Sequence, residues 1–461
     1  MSTSGVRGRA ATGLLMLATA TLSACASDSP VAPVSQTSAP TFGEVQQDLQ
    51  GLYLVEARSS STQGIASAVA ALGGTVRADV PQIRLVSVAG LDAKRVATLA
   101  KRSDVSAVYR DALARFVLPT RQGTPLKTPS GRARVNGVDQ SSAYFYSVQW
   151  NLPKTSVPFA WNYTNGGAGQ SVWVLDTGID PNQQDLSGRV PCYTNGVTIP
   201  RFPSDATPWD HNFHGTFVSS IISSNGVGNA SVAPGARLCS RKVLSEDGAG
   251  TFGDVAASII YAADRGASVI NLSWGSYFDS HSEGGRGVVN LLQRAVDFAN
   301  SKGVVVVAAA GNQSLNLDTD GYSMVLVPAQ LERVISVGAT GPDLTGNYDA
   351  LASYSNFGGE TGVQLVAPGG DLPIPSNGFD QILGACSSFV CAGTNFYILA
   401  KGTSFSAAHV AAAAAVVQGA LGGAPTPERV KQCLTRTSDQ IGDPRVFGAG
   451  RLNVYAAAQC Q

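Results

Sequence analysis

The chain has 461 residues, 44% of them hydrophobic and 14% charged, with 51 glycines and a formal net charge of zero. Such a length fits two or three domains, or one large domain with appendages. The charge balance excludes an electrostatic case for nucleic acid or an anionic membrane surface as partner, and the apolar content excludes disorder.

Arg7 and Arg9 precede an apolar run from Ala10 to Leu22, and no acidic residue occurs before Asp28. The run is too short for a stable bilayer span and reads as the core of a signal peptide over residues 1–24. It ends in Leu22-Ser23-Ala24-Cys25, which resembles a bacterial lipobox. That resemblance implies cleavage before Cys25 and a lipid on its sulfur; the plainer alternative is ordinary secretory cleavage beside a chance cysteine. Residues 25–50 are rich in Ser, Pro and Ala and read as a flexible tether.

Order begins near Gly51. "GLYLVEAR" is a predicted strand, "GIASAVAALGG" a helix, "PQIRLVSVAG" a strand, "LDAKRVATLAKRS" a helix and "VSAVYRDALARF" a closing strand. A βαββαβ order, or one close to it, predicts a small α+β ferredoxin-like domain over residues 51–117. Residues 118–147 are rich in Pro, Gly, Arg and Lys without periodicity, and read as a linker or processing segment.

From residue 148 to 461 the pattern changes. "GQSVWVLDTGID", "GASVINLSWGS", "KGVVVVAAAGNQ" and "RVISVGAT" are continuous apolar runs that end in small or polar residues. Helical patterns such as "FGDVAASIIYAADRG" and "VVNLLQRAVDFANSKG" separate them. Unalternating strands between helices predict an α/β fold with a parallel sheet flanked by helices on both faces. Chemistry in such a sheet gathers at the carboxyl ends of the strands.

Apart from Cys25 there are six cysteines: Cys192, Cys239, Cys386, Cys391, Cys433 and Cys460. An even number in an exported chain predicts three disulfides. Six cysteines allow 15 pairings in principle, and the nearest-neighbour set Cys192–Cys239, Cys386–Cys391 and Cys433–Cys460 is the expectation. None has metal-ligand spacing with the four histidines.

Asp176 ends the run "SVWVLD", His214 stands in "DHNFHGTFVSS", and Ser404 opens the long apolar stretch "GTSFSAAHVAAAAAVV". Taken singly these are a strand-end turn former, a histidine beside a glycine, and an N-cap. Taken together they are a hydroxyl nucleophile, a base titrating near neutrality and a carboxylate to orient it, the set needed for acyl transfer.

"DTGID", "HGT" and "GTSFSAAHV", in the order Asp, His, Ser, resemble the subtilisin-like serine proteases, or subtilases. The likeness runs from about Gln149 to Gln461 and takes in "QWNLPKTSVPFAW", "VAPGARL", "NLSWG", "AAAGN", "ASYSNFG", "LVAPGG" and "FGAGRLNVYAAA". It implies that Ser404 is the nucleophile and that its backbone N–H forms an oxyanion hole with Asn312. His214 would then be the general base, oriented by Asp176. It further implies that Ser273-Trp274-Gly275 and Ala309-Ala310-Gly311 are the walls of the first specificity pocket. Gly248-Ala249-Gly250 would be the edge that pairs with an extended substrate. Phe252 falls either at a more distant hydrophobic subsite or in the core as the first residue of a helix.

The 51–117 domain resembles the family's propeptide, which folds and inhibits the enzyme. The expected partners are polypeptide substrates and this domain as an intramolecular inhibitor; no nucleic acid is expected, and the chain should be a monomer. The precursor is expected at the cell envelope through its lipid, and the processed enzyme outside the cell. The alternative is a catalytically silent surface protein that uses the scaffold for binding. The chain departs from the family pattern at Phe405, usually Met, and Ala408, usually Pro; His409 is expected to pack within the helix layer. No cofactor is needed for the chemistry. A structural calcium at Asp185 and the loop "SSNGVGNASVAP" stays open beside a plain turn.

Overall fold

The computed structural model describes residues 45–46, 51–111, 113–116, 118–119, 122–319, 323–372 and 378–460. The expected signal peptide, the expected lipid site Cys25 and nearly all of the expected tether lie outside the described residues.

The N-terminal part comprises β1 (Tyr53–Ala57), α1 (Gln63–Ala71), β2 (Thr75–Val80), β3 (Leu85–Ala89), α2 (Ala93–Ala100) and β4 (Val105–Arg110). Its sheet has the order β2-β3-β1-β4 and every pairing is antiparallel. Ile65 and Val69 of α1 and Leu99 of α2 bury against Val55 and Val86, which closes a ferredoxin-like unit. The strand β2, "TVRADV", alternates polar with apolar residues at Val76, Ala78 and Val80, and only Val80 is fully buried. Two short strands follow, β5 (Leu113–Arg115) and β6 (Gln122–Lys127).

The larger part contains β7 (Ser171–Asp176), β8 (Cys192–Asn195), α3 (His214–Ile222), β9 (Arg237–Lys242), β10 (Ala249–Thr251), α4 (Phe252–Asp264), β11 (Val269–Leu272), β12 (Ser276–Asp279), α5 (Glu283–Ser301) and β13 (Val305–Ala309). It continues with β14 (Met324–Val327), β15 (Val334–Gly341), β16 (Ala350–Leu351), β17 (Leu365–Pro368), β18 (Ile382–Ala385), β19 (Phe396–Ala400), α6 (Thr403–Leu421) and α7 (Pro427–Arg436).

Among the described residues, β16-β15-β13-β11-β7-β9-β8 lie side by side, and β17 adds to β15 as the eighth strand. Every pairing is parallel except β15 with β16. The runs lack alternation because both faces are covered. Val172 and Val174 of β7 join the core beneath α6, whereas Trp173 and Leu175 join the core beneath α4 and α5. Side chains of a strand point to opposite faces in turn, so each strand serves two cores.

α6 is buried from Thr403 to Gln418. It is long and apolar enough to cross a membrane, yet 83% of its apolar window is buried inside the protein; it is the central helix of one layer. α4 is set by its ends: the Thr251 hydroxyl accepts from Asp254 N at 3.2 Å, and Asp254 lies in the first turn, where a carboxylate suits the helix dipole. The disulfides pair Cys192 with Cys239, Cys386 with Cys391 and Cys433 with Cys460.

The segment 118–147 is more ordered than its composition suggests. Within it β6 pairs antiparallel with β19, extending the β18–β19 ribbon. Gln140 is buried and its amide donates to Ser224 O at 2.7 Å. Backbone ladders and single amide contacts leave no hydrophobic period to read.

Candidate active site

Chain order changes direction in the sheet between β7 and β11, and the functional candidates cluster there. Asp176 ends β7, His214 opens α3, Ser273 follows β11, Asn312 lies just beyond β13, and Ser404 is the second residue of α6.

His214 Nδ1 donates to Asp176 Oδ1 at 2.8 Å, and both side chains are fully buried. The backbone N–H of Thr177 donates to the same oxygen at 2.7 Å. With Nδ1 carrying the proton, His214 Nε2 is left as an acceptor; it is buried and has no partner. Ser404 Oγ donates instead to Ser273 O at 2.8 Å, and Ser273 Oγ donates to Ser404 O at 2.7 Å. The serine hydroxyl is thus turned onto the neighbouring strand end, while Phe405, next in the chain, places its ring 6.1 Å from that of His214. Catalytic hydrogen bonds often close only in the Michaelis complex. Asn312 Oδ1 accepts from Thr403 N and Thr403 Oγ1, both at 2.9 Å, so its Nδ2 is the donor turned away from Thr403.

Three residues not singled out from the sequence hold this pair in place. Thr177 Oγ1 donates to Asp210 Oδ1 at 2.9 Å and accepts from Gly215 N at 3.0 Å. The N–H groups of Phe213 and Thr216 donate to Asp210 at 3.0 and 2.9 Å. These bonds fix the end of β7 to the start of α3. Lys242, fully buried and in register with Asp176 on β9, donates to Thr177 O at 2.8 Å and lies 3.6 Å from Asp205. Burial pushes its pKa down, opposed by Asp210, Asp205 and Asp176. No local pattern marks it, since its strand reads "RLCSRK" and already carries two arginines.

Phe405 is buried with its ring 4.3 Å from Phe217 and 6.1 Å from His214. The pair fits because residue 384 is glycine; a Cβ there would come within 2.7 Å of the Phe217 ring. His409 packs within the helix layer. Its Nδ1 donates to Phe405 O at 2.7 Å and its Nε2 accepts from Asn151 Nδ2 at 2.8 Å. Burial holds its pKa down at about 4, so it stays neutral.

The N-terminal part runs past these residues along β10. β5 pairs antiparallel with β10, setting Leu113, Ala114 and Arg115 opposite Thr251, Gly250 and Ala249. Phe116 N donates to Gly248 O at 3.1 Å. The Phe116 ring lies 4.7 Å from Trp274 and 5.9 Å from Phe252. Phe252 is thus both the first residue of α4 and a floor for an apolar side chain on the edge. Pro119 lies against Gly402. Behind this contact Asp111 accepts from Phe252 N at 3.1 Å at the start of α4, while Arg77 bridges Asp111 at 3.0 Å and Asp254 at 2.8 Å.

The loop near Asp185 does not fit a calcium ion. Asp185 accepts from Val227 N, Gly228 N and Asn229 N at 2.6, 2.9 and 3.1 Å and from the Tyr397 hydroxyl at 2.5 Å. The loop carbonyls of Ser224, Gly228 and Ala230 accept from Gln140 Nε2, Phe145 N and Gln149 Nε2. Calcium needs six or more oxygen acceptors facing inward; here donors occupy that place. Chelation by EDTA should therefore leave the Tm of the protein unchanged. Tyr397→Phe should lower stability by about 1–3 kcal/mol by removing one of the three donors to Asp185 Oδ2, a hydrogen bond to a buried charged group. Differential scanning calorimetry reads both, and a large fall in Tm on chelation would overturn this account of the loop.

The family model described as the subtilase family matches residues 167–450. A thermophilic serine proteinase of Bacillus sp. (strain AK1) is 37% identical over 321 residues, covering 69% of this chain and 68% of that protein. Thermitase of Thermoactinomyces vulgaris is 32% identical, covering 68% of this chain and 98% of the relative. The epidermin leader peptide processing serine protease of Staphylococcus aureus has the same fold, with a TM-score of 0.71 at 22% identity over 88% of this chain and 97% of that one. The chain belongs to the subtilase family and is a subtilisin-like serine endopeptidase.

Proposed function

We propose that peptide bonds are cut by Asp176, His214 and Ser404, with Asn312 Nδ2 and Ser404 N as oxyanion donors, in a chain made as a self-inhibited, exported precursor. The observation that carries this is the 2.8 Å bond between His214 Nδ1 and Asp176 Oδ1, with His214 Nε2 buried and unpartnered and the ring of Phe405, the residue after Ser404, 6.1 Å from the imidazole. Rotation of the Ser404 hydroxyl from Ser273 O to Nε2 completes the relay. His214 then takes the proton as Oγ attacks the carbonyl, and returns it to the leaving amine. Ser404 N lies in the first turn of α6, where unpaired N–H groups favour the developing oxyanion. The walls are Ser273-Trp274-Gly275 and Ala309-Ala310-Gly311, and Gly248-Ala249-Gly250 pairs with the substrate backbone. Labelling by a fluorophosphonate and hydrolysis of casein test the reading; failure of the processed protein in both would reject it.

Residues 51–117 act as the inhibitor, residues 118–147 include the processing region, and 148–461 form the catalytic domain. The antiparallel lie of β5 on β10 supports this, since a segment there excludes a substrate strand. A signal peptide over 1–24 and a lipid on Cys25 would tether the precursor, and cleavage within 118–147 would free the enzyme from its anchor.

The inhibitory contact should weaken as pH rises. Burial lifts the pKa of Asp111 to about 6 from an ordinary 3.8. A carboxyl whose pKa is higher in the bound state adds affinity at low pH and loses it as pH climbs from about 4 through about 6. Binding of the 51–117 unit to processed Ser404→Ala enzyme should be up to about 100-fold tighter at pH 4 than at pH 7, at tenfold per pKa unit. Calorimetry checks this, and Asp111→Asn should flatten the dependence.

A further inference from the structure

The two walls of the cleft do not enclose an empty slot. Gly275 ends one wall and Gly311 the other, and the side chain of Leu326 lies between them. Its Cδ1 is 2.9 Å from the place a Cβ on Gly275 would take, and its Cδ2 is 3.3 Å from the corresponding place at Gly311. Leu326 is 1% exposed. It sits on β14, which pairs antiparallel with β12, so that Leu326 stands opposite Tyr277 just beyond Gly275. Its backbone is held on both sides: Leu326 N donates to Gln330 Oε1 at 2.8 Å, and Gln330 N donates to Leu326 O at 2.9 Å. Behind it Asn356 Nδ2 donates to the Tyr277 hydroxyl at 2.7 Å and to Ala310 O at 2.7 Å. Those bonds tie the floor to the second wall.

Resting on the reading of these walls as the specificity pocket, we propose that Leu326 fills its floor and makes the enzyme cut after small residues such as alanine or serine. An isobutyl group pinned between two glycines leaves room for a methyl or hydroxymethyl side chain. A phenylalanine would have to displace Leu326 from a packed core that cannot yield without strain. A pocket discriminates about 10–200-fold for a single misfitting methylene, and a benzyl group exceeds the space by more than that.

The test compares p-nitroanilide tetrapeptides that differ only in the residue before the scissile bond, with the processed enzyme. Alanine should exceed phenylalanine in kcat/KM by at least about tenfold. Leu326→Gly should reverse the order by opening the floor, and Leu326→Ala should give an intermediate ratio if the glycine variant does not fold. Preference for phenylalanine in the wild type, or an unchanged ratio in both variants, would overturn the proposal and leave the catalytic reading intact. No cleavage of either peptide together with no fluorophosphonate labelling would reject the catalytic reading, and this one with it.

Discussion

Ser404→Ala is expected to reduce kcat on casein by about 10⁶-fold, a figure measured in subtilisin itself rather than obtained from this geometry. A second consequence comes from the chain that runs along β10. If Ser404 is the nucleophile and the precursor processes itself within 118–147, the variant should accumulate at full length. If Cys25 carries lipid, the catalytic part of the variant should stay with the membrane fraction while that of the wild type reaches the medium. Both parts are measured at once by assaying enzyme freed by an added protease and by blotting cell fractions for the catalytic domain. Undiminished hydrolysis by Ser404→Ala would remove Ser404 from the mechanism. Wild-type catalytic domain found solely on the membrane after processing would remove release from the anchor.

Lys242→Met should cost about 3–5 kcal/mol of stability, the usual result of taking one partner from a buried charge group. Lys242 is fully buried, with Asp205 at 3.6 Å and the Thr177 carbonyl at 2.8 Å. Asp205 also accepts from Arg201 N and Phe202 N, and Asp210 from four donors. Hydrogen bonds would hold these carboxylates in place, but no cation would offset them. The sign of the effect on catalysis follows from the charge. Loss of a cation near Asp176 makes added positive charge there less costly, so the acid limb of the kcat/KM profile should move to higher pH. Denaturant unfolding and the pH–rate profile separate the parts. Lost stability with an unmoved acid limb would confine Lys242 to a structural role.

Some of this protein was legible from residue order. Continuous apolar runs such as "VVVVAAA" cannot alternate, so a sheet covered on both faces followed, and with it the cleft at the strand ends. Asp176 and Asn312 were legible as polar groups that close or just follow apolar strands, and His214 and Ser404 as polar groups that open apolar helices. The strand Gln122–Lys127 was not legible, since its order comes from a backbone ladder against β19 rather than from its own side chains. The short β2 did carry a period of two at Val76, Ala78 and Val80, but one too brief to stand out between a helix and the next strand.

By itself the sequence determined the family pattern, the layered α/β scheme and the set of groups available for acyl transfer, because each is written in local period or in residue type. Only the tertiary structure decided that donors surround Asp185, that Phe217 receives Phe405, that Lys242 lies in register with Asp176 behind its bond to His214, and that Leu326 stands between Gly275 and Gly311. Each of these joins residues far apart in the chain, and what a side chain does there is set by neighbours that no local pattern encodes.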